Sequence, residues 1–225
     1  MHGLFITGTD TDVGKTIITT GLIKYFRASQ FTTCGVKPVC CGGKEDVEAI
    51  IAENQNEVPE STINPLYLEQ SAAPLSITSA VPPLSEVISP ILGLPHDYII
   101  TEGAGGWHVP VSADWNMDNL AIKLNFPVIM VIANKLGALN HSVLTANAIL
   151  SSGLPLIGYF LNTIEETEYP IAQKTNSETL KGLLPCPCLG EIPLNGASLS
   201  SIPLQSALKN HALPDLPLHF FPTRN

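Results

Sequence analysis

Short apolar runs alternate along this chain with longer stretches of helical spacing, and the two periods mark out its elements. Leu4–Thr7 reads as a strand. Gly14–Arg27 reads as a helix, with Ile17, Ile18, Leu22, Ile23 and Phe26 near one face. Thr33–Val36 forms a second strand, stopped by Lys37-Pro38, and Asp46–Asn54 and Ser85–Leu92 are short helices. Asp97–Thr101 is a buried strand that runs into Gly103-Ala104-Gly105-Gly106, and Met117–Leu124 is helical. Pro127–Ala133 is the most convincing central strand. Asn140–Ser151 is a helix, Leu156–Leu161 a strand, and a further helix covers part of Ile171–Leu183. A last short strand leads into Gly190-Glu191-Ile192-Pro193.

The strands are apolar through their centres instead of alternating, as a parallel sheet covered on both faces requires. Strand–helix alternation therefore predicts an α/β fold with right-handed crossovers. Two stretches are weakly patterned: 56–95, rich in Pro and Ser, reads as loops and short helices over one edge, and the tail from about 198 reads as partly irregular. Neither repeats nor a composition shift mark a second domain, and 225 residues fit one.

Composition narrows the function. With 44% hydrophobic residues the chain can build a sizeable core, and 14% charged residues are too few for a disordered or coiled-coil protein. A net charge of −9 argues against nucleic acid as the main partner, since phosphate backbones are gripped by basic surfaces. It leaves room for a small anion held by a few lysines and backbone N–H groups. The chain enters its first strand without a leader-like segment and has no apolar run long enough for a bilayer, so a cytoplasmic protein without a membrane partner is expected. Five cysteines suit reduced thiols, and Cys186-Pro187-Cys188 lacks a second ligand pair at zinc spacing.

The chemistry concentrates at predicted strand ends. Gly8-Thr9-Asp10-Thr11-Asp12-Val13-Gly14-Lys15-Thr16 lies between the first strand and first helix, where successive N–H groups make an anion nest. Gly14 lets phosphate approach the backbone, Lys15 can bridge to terminal phosphates, and Thr16 offers a hydroxyl to Mg²⁺. The spacing departs from Gly-x4-Gly-Lys-Thr: Gly8 comes one residue early and Thr9 takes the usual glycine place. Lys37 ends a strand and would face the same crevice, although a lone lysine there also reads as a solvated side chain. Asp46 and Glu102 are carboxylates at two further strand-end positions, suited to Mg²⁺; Asp46 equally suits the N-cap of the next helix. Asn162 could match the edge of a purine or simply serve a turn.

In order, Gly-Thr-Asp-Thr-x-Val-Gly-Lys-Thr (8–16), Lys-Pro-Val (37–39), Glu-Gly-Ala-Gly-Gly-Trp (102–107), Lys-Leu-Gly-x-x-Asn-His (135–141), Asn162 and Gly-Glu-Ile-Pro (190–193) resemble the dethiobiotin synthetase family. The likeness covers roughly 3–195. The phosphate-loop variant alone is shared with cell-division and partition ATPases and with cobyrinic acid amidases. The resemblance implies a single-domain P-loop NTPase fold and an ATP- and Mg²⁺-dependent ligase of biotin synthesis. It would carboxylate diaminopelargonic acid (7,8-diaminononanoate) with CO₂ and close the ring to dethiobiotin, leaving ADP and phosphate. It further implies Lys15 and Lys37 as catalytic residues beside the γ-phosphate and carbamate, and Thr16, Asp46 and Glu102 as metal ligands. Asp12, Val13, Gly14, Lys15, Thr16 and Ile17 would wrap the phosphates, with Gly103, Ala104 and Gly105 beside them, and Asn162, Pro193, Leu194 and Asn195 would meet the adenine. Cys41, Leu139 and Asn140 would contact the diamine, within a homodimer whose partner receives the substrate tail. Cys41 departs from the family, which commonly has a hydroxyl there. Two alternatives remain open: another amide- or urea-forming ligase of the same group, and a partition-type ATPase switch, which the net charge disfavours.

Overall fold

The computed structural model describes residues 2–165, 168 and 170–194. Six parallel strands form the main sheet: β1 (His2–Gly8), β2 (Thr33–Val36), β5 (Tyr98–Gly106), β6 (Val128–Ala133), β7 (Leu156–Asn162) and β8 (Cys188–Ile192). Their order is β2-β5-β1-β6-β7-β8. Every residue of β2, β6 and β7 is buried. Because neighbouring side chains point to opposite faces, burial without alternation means that both faces are covered.

The covering helices include α1 (Lys15–Ala28), which packs on β5, β2 and the short α2 (Glu45–Glu53). α5 (Leu84–Leu92) meets α6 (Met117–Leu124), and α7 (Ala138–Ser151) meets α8 (Pro170–Leu183). Leu4, Phe5, Ile6, Ile99, Val131 and Phe160 are fully buried at the centre of the resulting core. Trp107, just past β5, packs edge-on against Phe5 with ring centres 6.1 Å apart. Among the described residues, no helix is long and apolar enough to cross a membrane.

The expected α/β architecture is present, with two differences. β5 continues through Glu102 to Gly106 instead of giving way to a loop, because Ile6 and Gly8 of β1 pair with Glu102 and Gly106. The 56–95 stretch holds more than loops and short helices. Besides α3 (Glu60–Ile63) and α4 (Pro74–Ile77) it supplies β4 (Leu66–Leu68), which pairs in parallel with β3 (Val39–Cys41) as a small second sheet. That sheet fixes the chain just beyond Lys37: Gly42 N–H donates to Leu68 O, and the Tyr67 hydroxyl donates to Gly42 O at 2.9 Å.

β1 lies between β5 and β6, so the chain leaves it toward β2 on one side while β6, β7 and β8 extend on the other. Such a reversal opens a crevice beyond the carboxyl ends of the strands. The segment 8–16 follows β1 into it.

Candidate active site

The phosphate-type loop turns on Gly14, whose φ of 92° lies in the left-handed region. A Cβ there would also stand 2.1 Å from Asn162 Nδ2, so only glycine fits. Gly14 caps α1 without a side-chain hydrogen bond, and the first turn carries no acidic residue. The first N–H groups of α1 are thus left for an anion, with the positive end of the helix dipole behind them. The loop is tied down from three sides. Thr9 N–H donates to Val131 O, Lys135 Nζ to Asp10 Oδ2 at 3.1 Å, and Asn162 Nδ2 to Val13 O at 2.9 Å.

Below the loop two lysines meet two carboxylates. Lys37 Nζ donates to Glu102 Oε1 at 2.7 Å and to Asp46 Oδ2, while the Thr16 hydroxyl donates to Glu102 Oε1 at 3.0 Å. Backbone bonds set Lys37 in place: its N–H donates to Ile63 O, and Asn64 Nδ2 donates to its carbonyl at 2.7 Å. Burial alone would lower the Lys37 ammonium, but Glu102 and then Asp46 outweigh it and hold it above the usual lysine value. Burial works upward on the Asp46 carboxyl, and the Lys37 charge and hydrogen bond hold it below its usual value instead. Lys15, short of so close a partner, is lowered by burial against the pull of Glu102, and its Nζ rests on Asp10 O at 3.0 Å.

Glu102 is fully buried, and its Oε2 has no hydrogen-bond partner among the described residues. A buried carboxylate oxygen left over is costly unless a cation claims it. The convergent donors are two carboxylates and one hydroxyl. They fit Mg²⁺, which takes one or two protein carboxylates and fills its remaining positions with water and phosphate oxygens.

Lys15, Thr16, Lys37 and Asp46 line one cavity of about 650 Å³, together with Asp12, Gly14, Ile17 and Cys41, while Glu102 is buried behind Lys37 and Thr16. Ala104 and Gly105 form part of the wall, Gly105 with φ 62°. Burial pushes the Cys41 thiol above its usual value, so it presents a neutral S–H. Val13 and Gly103 stand outside: Val13 is fully buried in the core and contributes its carbonyl, and Gly103 packs within β5 against the Phe5 ring. Asp46 sits inside the first turn of α2, where Lys44 holds the N-cap, so its carboxylate is free to face Lys37. Asn162 is buried at the end of β7. Pro193 is exposed and Leu194 half-buried just past β8, and Asn195 lies outside the described residues. Leu139 and Asn140 open α7, away from this cavity.

Sequence reasoning missed part of the wall. Cys40, Gly43, Glu45, the run Ser71–Pro74 and Val109 also line the cavity. Gly42 was the available signal for the wall around Cys40 and Cys41: a glycine beside two cysteines, which in the structure has φ 88° and Ser71 Oγ 2.4 Å from where its Cβ would be.

A family model described as an AAA domain matches residues 2–200. Curated proteins named ATP-dependent dethiobiotin synthetase are similar over most of their length. That of Chromohalobacter salexigens is 35% identical, covering 95% of this chain and 99% of its own. That of Cellvibrio japonicus is 36% identical, covering 84% and 88%. Among solved structures, the septum site-determining protein MinD of Pyrococcus horikoshii, complexed with Mg-ADP, superposes with a TM-score of 0.54 at 14% identity, covering 95% of this chain and 87% of that one. A putative plasmid partition protein of Borrelia burgdorferi, bound to AMPPNP, gives 0.52 at 15% identity, covering 85% and 86%. These two show the fold alone, whereas the curated relatives exceed 30% identity across nearly their whole length. The chain belongs to the ATP-dependent dethiobiotin synthetase family.

Proposed function

We propose that this protein joins CO₂ to diaminopelargonic acid and closes the product to dethiobiotin, using ATP and releasing ADP and phosphate. The observation that carries this is one cavity whose wall holds a triphosphate-type loop, Lys37, and a second stretch made of Cys40, Cys41 and Ser71–Pro74. One amine of the substrate takes up CO₂ as a carbamate. A carbamate oxygen attacks the γ-phosphorus and ADP leaves, giving a carbamic–phosphoric anhydride. The second amine attacks the carbamate carbon, the C–O bond to phosphate breaks, and the cyclic urea forms as the amine loses its proton.

Two anions, γ-phosphate and carbamate, must approach each other, and the chain meets that problem with charge and position. Lys15 reaches the phosphates from the first turn of α1, and the N–H groups of the loop orient them. Lys37, held at the back by Ile63 and Asn64, places its ammonium where the anions would meet. Thr16, Asp46 and Glu102 would hold Mg²⁺, which when bound supplies positive charge for the phosphate oxygens. No covalent protein nucleophile is required. The adenine would lie toward Asn162, Pro193 and Leu194.

The active form is a homodimer in this proposal. Asn140, Leu144, Asn147 and Leu150 make an exposed stripe at helical spacing along α7, with Leu136 exposed in the turn before it. A partner seated there would bring Leu139 and Asn140, at the start of α7, to the tail of the other subunit's substrate. The function is tested by ATP turnover with the purified chain. Turnover should depend on both diaminopelargonic acid and bicarbonate; dependence on glutamine, or none on the diamine, would refute the assignment.

A further inference from the structure

α8 buries only two side chains, Leu180 and Asn176. A buried amide on a helix that is otherwise polar needs a reason, since an apolar residue would pack there without the cost of desolvation. Asn176 is 3% exposed, and its Nδ2 donates to two acceptors, Asn134 Oδ1 and Lys135 O, each at 3.0 Å. Asn134 is itself nearly buried and donates its Nδ2 to Thr163 Oγ1 and to Gln173 O of α8. Asn176 therefore holds the turn that follows β6, and neither it nor Asn134 and Lys135 lines the cavity.

That turn has two lines to the phosphate loop. Lys135, whose carbonyl accepts from Asn176, donates its Nζ to Asp10 Oδ2. Asn134 N–H donates to Asn162 O at 2.8 Å, and Asn162 Nδ2 reaches Val13 O. Asp10 and Val13 bracket Thr11 and Asp12, which line the cavity just before the first turn of α1. We propose that Asn176 is a positioning residue for the nucleotide, fixing the 134–135 turn so that Lys135 and Asn162 hold the loop in its anion-binding shape. It touches no substrate and acts through those two residues. The inference rests on the loop being the ATP site, as proposed above.

The test is Mg-ATP affinity by isothermal titration calorimetry on the full chain, with melting temperature and steady-state kinetics alongside. Asn176→Leu keeps most of the volume and removes both donated bonds. Its Kd for ATP should rise about tenfold, as expected for a network coupled to a site, with kcat at saturating ATP and diamine within about twofold of wild type. Lys135→Met, a change at a half-exposed side chain that spares the core, should raise Kd similarly. Because both act on one loop, the double variant should lose less than the product of the two effects. A purely structural role would lower the melting temperature of Asn176→Leu and leave Kd and KM for ATP unmoved. Kd within twofold of wild type for either variant, or multiplicative losses in the double variant, overturns the proposal; should Asn176→Leu fail to fold, Lys135→Met decides alone. A wild-type chain that binds no ATP would overturn the site assignment first and this inference with it.

Discussion

The Thr16 hydroxyl donates to Glu102 Oε1 at 3.0 Å, joining the first turn of α1 to a strand 86 residues later in the chain. The bond locks the helix that carries the phosphate loop to the buried carboxylate behind it. Lys37 donates to the same oxygen, so Glu102 Oε1 serves two donors while Oε2 has no hydrogen-bond partner among the described residues.

Glu102→Gln is the direct probe of that arrangement. The amide keeps the volume and can still accept from Thr16, but the charge is gone from the centre of the site. Loss of a pre-set charge at a phosphoryl-transfer centre should cost roughly 10²- to 10³-fold in kcat. The Mg²⁺ concentration needed for half-maximal turnover should rise as well. A magnesium titration of ATP turnover measures both, and an unchanged Mg²⁺ dependence would remove Glu102 from the metal-binding set.

Lys37→Ala separates chemistry from binding. Lys37 lies below the loop instead of within it, so ATP should still bind with much of its wild-type affinity while product formation is abolished. The same change leaves a fully buried carboxylate without its cation, which typically costs about 3–5 kcal/mol. The melting temperature should fall and should recover in part in Lys37→Ala/Glu102→Gln. Activity near wild type would show that Lys37 does not stand at the reacting centre.

Cys41→Ser tests the part of the cavity wall that carries the two cysteines. The Cys41 thiol is neutral and a weak hydrogen-bonding group, in a place where the family resemblance implies a hydroxyl. The serine should be tolerated, with kcat within about twofold and a KM for the diamine equal to or below that of wild type. A large rise in KM would mean that the wall around Cys40 and Cys41 has adapted to sulfur.

The central strands and the strand-end chemistry could be read from sequence for one physical reason. β5, β6 and β7 are covered on both faces, which writes an unbroken apolar run, and a charged residue just after such a run must lie at the crevice. That reading singled out Lys37, which follows β2 and lines the cavity, and Glu102, which lies inside the longer β5 and is buried behind the cavity wall. β3 and β4 gave no such signal, since Val39-Cys40-Cys41 and Leu66-Tyr67-Leu68 are three residues long and each follows a proline. A period cannot be recognised in three residues. Ser71–Pro74 reached the cavity through that unseen sheet, and its small side chains carry no chemistry of their own. Gly103 shows the opposite error: a glycine within a functional-looking string, turned inward against Phe5 by the alternation of the strand.

Asn54 shows how the edge of the main sheet is protected, and it yields the last prediction. β2 is an edge strand, and an edge presents unpaired N–H and C=O groups. Asn54, fully buried after the end of α2, offers its side-chain amide as a substitute strand. Gly35 N–H donates to Asn54 Oδ1 and Asn54 Nδ2 donates to Gly35 O, both at 2.8 Å. Gly35 permits the helices to close over this point, since a Cβ would meet Ile23 Cδ1 at 2.3 Å. Asn54→Ala strands one buried donor and one buried acceptor, a loss of about 3 kcal/mol. For a domain of this size that lowers the melting temperature by roughly 6–12 °C. The pair lies at the outer edge of the sheet, away from the cavity, so KM for ATP and for the diamine should stay within twofold where the variant is folded. Thermal unfolding beside kinetics at low temperature checks both halves, and a variant as stable as wild type would show that water replaces the amide at no cost.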